Sequence, residues 1–267
     1  MASIPYKEIT SSPPCTFIVG PDKKEHTIHS ALVACQSPAL NALVNGGMKE
    51  AIERRVIWKD VNEDSFIRFS QYVYTGDYDG ATPSKRKAEG MASPQTTSTS
   101  PSTFSPFGKK AGGFGGIEHA PMNKKKYLWT KFQALYPLPS PAAASSPESS
   151  SIYDYTDVFL GHAQMYVFAD YHGIEPLQVL ALGKLRQILT SFTVRVESYN
   201  DITQLVRYSF EHTVDKKGQG DRLRLLVCLY AACRVEDLWK DPEFKEIAST
   251  SPDLSAQLIT AILDRLD

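Results

Sequence analysis

Polar and apolar positions change rhythm twice along this chain. Over residues 15–29, "CTFIVGPDKKEHTIH", they alternate on either side of "PDKK", which predicts two strands joined by a turn. A short helix follows through Leu32 and Val33, with Ser30 as its cap. It must end near Ser37-Pro38, because a residue before proline disfavours helical dihedrals. A second short helix runs to Val44 and is expected to stop at Asn45-Gly46-Gly47, where glycine accepts a positive φ. "RRVIWKD" reads as a third strand. Asn62 or Asp64 then opens a helix whose apolar positions are Phe66, Phe69, Tyr72 and Val73, closed by "TGDY".

Beyond residue 152 the spacing is helical. "YTDVFLGHAQMYVFADYHG" starts near Thr156 and stops at Gly173. "IEPLQVLALGKLRQIL" has Pro176 in its first turn, where proline fits, and an apolar set that includes Leu177, Leu185 and Leu189. Three more helices are expected near 198–213, 221–234 and 253–266. Strands and helices first, then helices alone, predict an α+β domain with a helical extension.

Between the two parts the composition shifts. Residues 79–152 hold nine of the 17 prolines and are rich in Ser, Thr and Gly, so they bury too little apolar surface to offset their ordering entropy. They read as a disordered insertion of 74 residues. One island differs: "KKKYLWTKFQALYPLP" puts Leu128, Trp129, Phe132, Leu135 and Tyr136 on one helical face, spanning about 126–136, before Pro137 stops it. That face either docks back on the domain or serves as a linear motif for a partner.

Charge and chemistry narrow the function. The net charge of −1 hides a basic insertion, nine Lys/Arg against four Asp/Glu, beside a mildly acidic remainder, which is not the footprint of a nucleic-acid-binding face. No apolar run reaches the roughly 20 residues that cross a bilayer. "MASIPYKEITSSPPC" lacks the apolar core of a secretory signal, so an intracellular protein, cytoplasmic or nuclear, is expected. Cys15, Cys35, Cys228 and Cys233 form no CxxC, and the last two sit in an apolar helix where thiols behave as small hydrophobes. There is no HExxH, GxSxG or GxxxxGK, and "GFGGIEHA" follows no strand, so neither an enzyme nor a cofactor or metal site is expected. Lys85-Arg86-Lys87 and Lys124-Lys125-Lys126 read either as import signals or as solvated charge. Ser93, Ser100 and Ser105, each before proline, are candidate phosphorylation sites.

Three stretches in order resemble the BTB/POZ family. "FIVGPDKKEHTIHSALVACQSPAL" carries His29, Ala31, Leu32, Ser37 and Pro38 of one family run. "WKDVNEDSFIRFSQYVYTGDY" carries Asp60, Phe66, Tyr72, Tyr74, Thr75 and Gly76 of another. "YVFADYHGIEPLQVLALGKL" carries Tyr166, Ala169, Asp170, Tyr171, Ile174 and Leu177 of the closing helices. The detail "ALVNGGMKEA … YTGDY" looks like BTB proteins of filamentous fungi. The resemblance covers about 15–78 and 153–190, leaving 1–14 as a flexible N-terminus, 79–152 as the insertion and 191–267 as the helical extension. It departs from the family at Pro14-Cys15, where an Asp is usual.

The resemblance implies a small three-stranded sheet with a helix cluster and a non-enzymatic adaptor that hands substrates to cullin-3-type ubiquitin ligases. The alternative is a nuclear transcription-associated scaffold. It also implies partner contacts: Met48-Lys49-Glu50 fits the family's apolar–any–acid docking pattern, with Leu43, Val44 and Tyr74 beside it. A flexible thioether fills irregular pockets and a carboxylate orients the encounter. Whether the chain forms a homodimer stays open, because the family's swapping N-terminal helix has no counterpart among the 14 residues before the first strand. Trp239 and Phe244 in the extension read as core.

Overall fold

A computed structural model describes residues 4–86, 124–138, 152–215 and 220–264, and in it the chain is mixed α+β. After a short helix α1 (Tyr6–Ser11), strands β1 (Pro14–Val19) and β2 (Lys24–His29) pair antiparallel around a turn in which Gly20 and Lys23 take positive φ. Helices α2 (Ser30–Ala34), α3 (Pro38–Asn45) and α4 (Lys49–Glu53) then lead to β3 (Arg55–Trp58), which lies parallel to β1, so the sheet order is β2-β1-β3. In register, Phe17 faces Val56 across the strands, and Ile18 faces Ile57. One face is core: Cys15, Phe17, Val19, Ile28 and Val56 are buried.

Helix α5 (Glu63–Thr75) is capped as expected, Asn62 Oδ1 accepting from the Ser65 N–H at 2.7 Å. It ends at Gly76, whose φ of 83° only glycine adopts freely. The following "DY" is clamped from outside. Lys184 donates to the Tyr78 carbonyl at 2.9 Å and pairs with Asp77 at 2.7 Å, and the buried Tyr78 hydroxyl lies 2.8 Å from His162 Nδ1.

Ordered structure then reaches into the segment expected to be unstructured. Strand β4 (Ser84–Lys85) pairs with β5 (Tyr153–Asp154), and α6 (Lys124–Ala134) docks on the body with Leu128 and Phe132 fully buried. Residues 87–123 and 139–151, including Ser93, Ser100, Ser105 and His119, lie outside the described residues.

Helix α7 (Thr156–Tyr171) is apolar on nearly every side and packs on α5, α8 (Glu175–Ser191) and α9 (Tyr199–His212). The extension continues with α10 (Arg222–Cys233), α11 (Val235–Leu238), α12 (Pro242–Thr250) and α13 (Pro252–Leu263). Of these, α11 and α12 were not predicted: each is too short for a periodic signal, and α12 starts from the Asp241 cap at Pro242. Arg224, nearly buried, donates to the Phe210 carbonyl at 2.9 Å and to Asp253 at 3.0 Å, tying the end of α9 to the start of α13. Among the described residues, no helix is long and apolar enough to cross a membrane.

Two buried histidines make stability depend on pH. Desolvation, then the nearby Lys184 and Arg68 charges, lower His162 to about 3, and desolvation lowers His172 to about 4. Both stay neutral in the folded chain while the unfolded chain protonates below about 6.5. Their contribution is therefore complete above that pH and lost as pH falls through it toward the folded values. Between pH 6 and 5 each should lower the unfolding free energy by about 1 kcal/mol. Urea titrations across this range should show His172→Phe removing roughly half of the two-histidine slope.

Candidate interaction surface

The surface around residues 43–52 is built by two interruptions of the chain. Ser37 caps α3, its Oγ accepting from the Leu40 N–H at 3.1 Å, and Pro38 occupies the first turn. The helix stops at Gly46, but not through a positive φ. Gly46 has φ −76° and ψ −169°, and its role is close approach: a Cβ there would stand 2.3 Å from the Ala42 carbonyl oxygen. Met48 then becomes the N-cap of α4, and Arg54, at φ 51°, ends that helix and turns the chain into β3. Met48-Lys49-Glu50 is thus the first turn of a helix rather than a loop.

The six partner residues inferred from the resemblance separate here. Met48 is 65% exposed and Lys49 is exposed, pairing loosely with Glu53 at 3.8 Å, while Glu50 is half-buried. Leu43 is half-buried against the core. Val44 is buried at 5%, so its place in a contact surface is corrected: it faces inward from α3. Tyr74 is exposed, but α5 packs on α2 and α7 while α4 packs on α3 and β3. The Tyr74 hydroxyl lies 2.8 Å from His29 Nδ1, beside the start of α2, and the cap of α2 is His29 rather than Ser30. The residue missed by sequence reading is Ile52, 74% exposed and one helical turn from Met48. Its spacing of four from Met48 was the available signal, hidden because no helix was expected there.

The basic clusters also separate. Lys85 is exposed in β4 and Lys126 on α6; Lys124 and Lys125 begin α6, and Lys87 lies outside the described residues. Arg86 is not solvated charge. Its guanidinium donates to the fully buried Asp201 at 2.6 Å, and Asp201 also accepts from the Tyr155 N–H at 3.0 Å. That pair fastens the β4–β5 stem to α9. On α6, Trp129 receives the Arg234 guanidinium over its ring at 4.8 Å. Phe244 is core as expected, but Trp239 is 50% exposed.

Among the described residues no group of three or more His, Cys, Asp or Glu could hold a metal ion. Cys15, Cys228 and Cys233 are buried thiols, and burial pushes Cys228 up to about 12; Cys35 is exposed. Comparison with protein-family models and with curated proteins finds no match for this chain.

The split between Val44 and Met48 has a direct check. Val44→Ala removes buried methyl groups and should cost about 1–2 kcal/mol of unfolding free energy. Met48→Ala on the exposed helix should stay within about 0.5 kcal/mol. Chemical denaturation of both variants measures the contrast.

Proposed function

We propose that this chain is a non-enzymatic protein-interaction adaptor with a BTB/POZ domain, and that α4 docks a cullin-3-type ligase scaffold. One observation carries the reading. Met48, the cap of the five-residue helix α4, and Ile52 within it form an exposed apolar pair between a double glycine and a strand, flanked by Lys49, Glu50 and Glu53. An exposed apolar centre with a charged rim is the anatomy of a protein contact, and flexible methionine adapts to an irregular partner pocket. The sheet order β2-β1-β3, with Ser37, Asn62 and Gly76 at helix ends and Tyr74 against His29, supports the resemblance on which the reading rests.

The alternative, a nuclear transcription-associated scaffold, draws on Lys124, Lys125 and Lys126. The first basic run lends it less support, since Arg86 is held by Asp201.

Calorimetry of the full chain against a cullin-3 N-terminal domain tests the proposal. Paired Met48→Ala and Ile52→Ala changes should weaken binding at least about tenfold, as loss of interface anchors does. Val196→Ala, at another exposed apolar position, should leave it unchanged. No binding of the unaltered chain at high micromolar concentration overturns the cullin reading.

A further inference from the structure

Strand β3 leads away from α4 toward a second feature. A cavity of about 550 Å³, open to solvent on one side, lies where the loop after β3 meets the C-terminal halves of α7 and α9. Its volume is within the range of small-molecule sites. Asn62 joins the loop to α7 through a 3.2 Å hydrogen bond from Nδ2 to Gln164 Oε1. The lining is rich in rings: Trp58 and Phe168, edge to face at 5.5 Å and 74°, and Tyr208 and His212, stacked at 4.0 Å and 16°.

Two polar side chains lining this cavity are more than nine-tenths buried, Ser65 at 4% exposure and His172 at 8%. The Ser65 N–H is used by Asn62, but its hydroxyl has no hydrogen-bond partner among the described residues, nor has the His172 imidazole. That ring is instead surrounded by Phe168 at 4.5 Å, Trp58 at 4.7 Å and Tyr171 at 5.0 Å. Neither residue is among those whose unpaired polar atoms are fully enclosed, so the hydroxyl and the imidazole open onto the cavity, where a bound molecule can meet them.

The chemistry of the filler follows from the lining. Burial keeps the imidazole neutral and pushes the Tyr208 hydroxyl up to about 12, so neither offers charge near pH 7. Lys59 and Asp60 at the border are exposed and of opposite sign. Their charges offset, so the opening sets no net counter-charge for an ion. A planar ring stacks favourably on aromatic walls, and a neutral imidazole accepts one hydrogen bond.

We propose that the cavity between Trp58, Ser65, His172 and Tyr208 binds an uncharged planar heteroaromatic ring bearing an N–H, held by stacking and by a hydrogen bond from that N–H to the imidazole. The same chemistry is presented by a free indole-like compound and by a tryptophan side chain of a peptide.

The test is a set of NMR titrations of the isotope-labelled full chain with indole, with indene, which lacks the N–H, and with a glycine-flanked tryptophan pentapeptide. Indole should shift the Trp58 side-chain resonance and the amides of Ser65 and His172, and bind about 3–10-fold more tightly than indene, the worth of one hydrogen bond. His172→Phe, which keeps a ring but removes the acceptor, should abolish that preference, and Ser65→Ala should leave it in place. A peptide that binds at least as tightly as indole assigns the site to a partner's tryptophan; one that stays out assigns it to a free compound. If indole at millimolar concentration shifts nothing around the cavity, the proposal is overturned and the cavity holds water. It is equally overturned if indene binds as tightly as indole, or if His172→Phe leaves the preference unchanged.

Discussion

The ring of Trp58 is where the sheet, α5 and α7 meet. Its centroid lies 4.9 Å from Phe17 on β1, 5.9 and 6.0 Å from Phe66 and Phe69 on α5, and 5.5 Å from Phe168 on α7. Strand β3 has only four residues, too few to hold a position by backbone pairing alone, so this side chain locates it against the helices. Trp58 is half-buried, so deleting its ring should cost less than the ~3–5 kcal/mol of a fully buried one, still a real share of the roughly 5–15 kcal/mol that holds a domain together. Everything downstream of β3, including the entry to α5, inherits its placement.

The second constraint is α7, whose buried residues point in every direction and so need neighbours all round. Helix α5 covers one side, with the Trp58 ring of β3 against Phe168; α8 and α9 cover the rest, and α10 lies beyond them against α6 and α13. One apolar cluster therefore runs from Cys15 to Leu258 without a break. The helical extension is not a separate appendage: Tyr166 on α7 donates to Asp221 at 2.8 Å, and that carboxylate also caps α10. The insertion is tied into the same body at two points, by Arg86 on Asp201 and by Phe132 against Tyr230 at 5.4 Å.

How much of this could be read in advance follows the range of the forces. Features set within a few residues were legible: the Ser37-Pro38 boundary, the Asn62 cap, the Gly76 stop and the apolar faces of α5 through α8. Those set by distant residues were not. Arg86 looks like solvated charge in sequence because its partner is 115 residues away. Val44 and Met48 lie four residues apart, and only the packing of α3 and α4 reveals that one is core and the other surface. The mechanism at Gly46 was misread because a glycine at a helix end has two uses, positive φ and close approach, and sequence does not distinguish them.

The aromatic cavity belongs wholly to the second kind. Trp58, Ser65, His172 and Tyr208 come from four elements spread over 150 residues and share no motif. Its link to α4 is nonetheless short, since α4 passes through Arg54 directly into β3, and β3 ends in Trp58. Coupling between two sites needs an element with two arrangements that both ligands bias. β3 is pinned by its pairing with β1 and by five ring contacts at its last residue. A strand so held fixes the distance between the two surfaces rather than relaying a change between them.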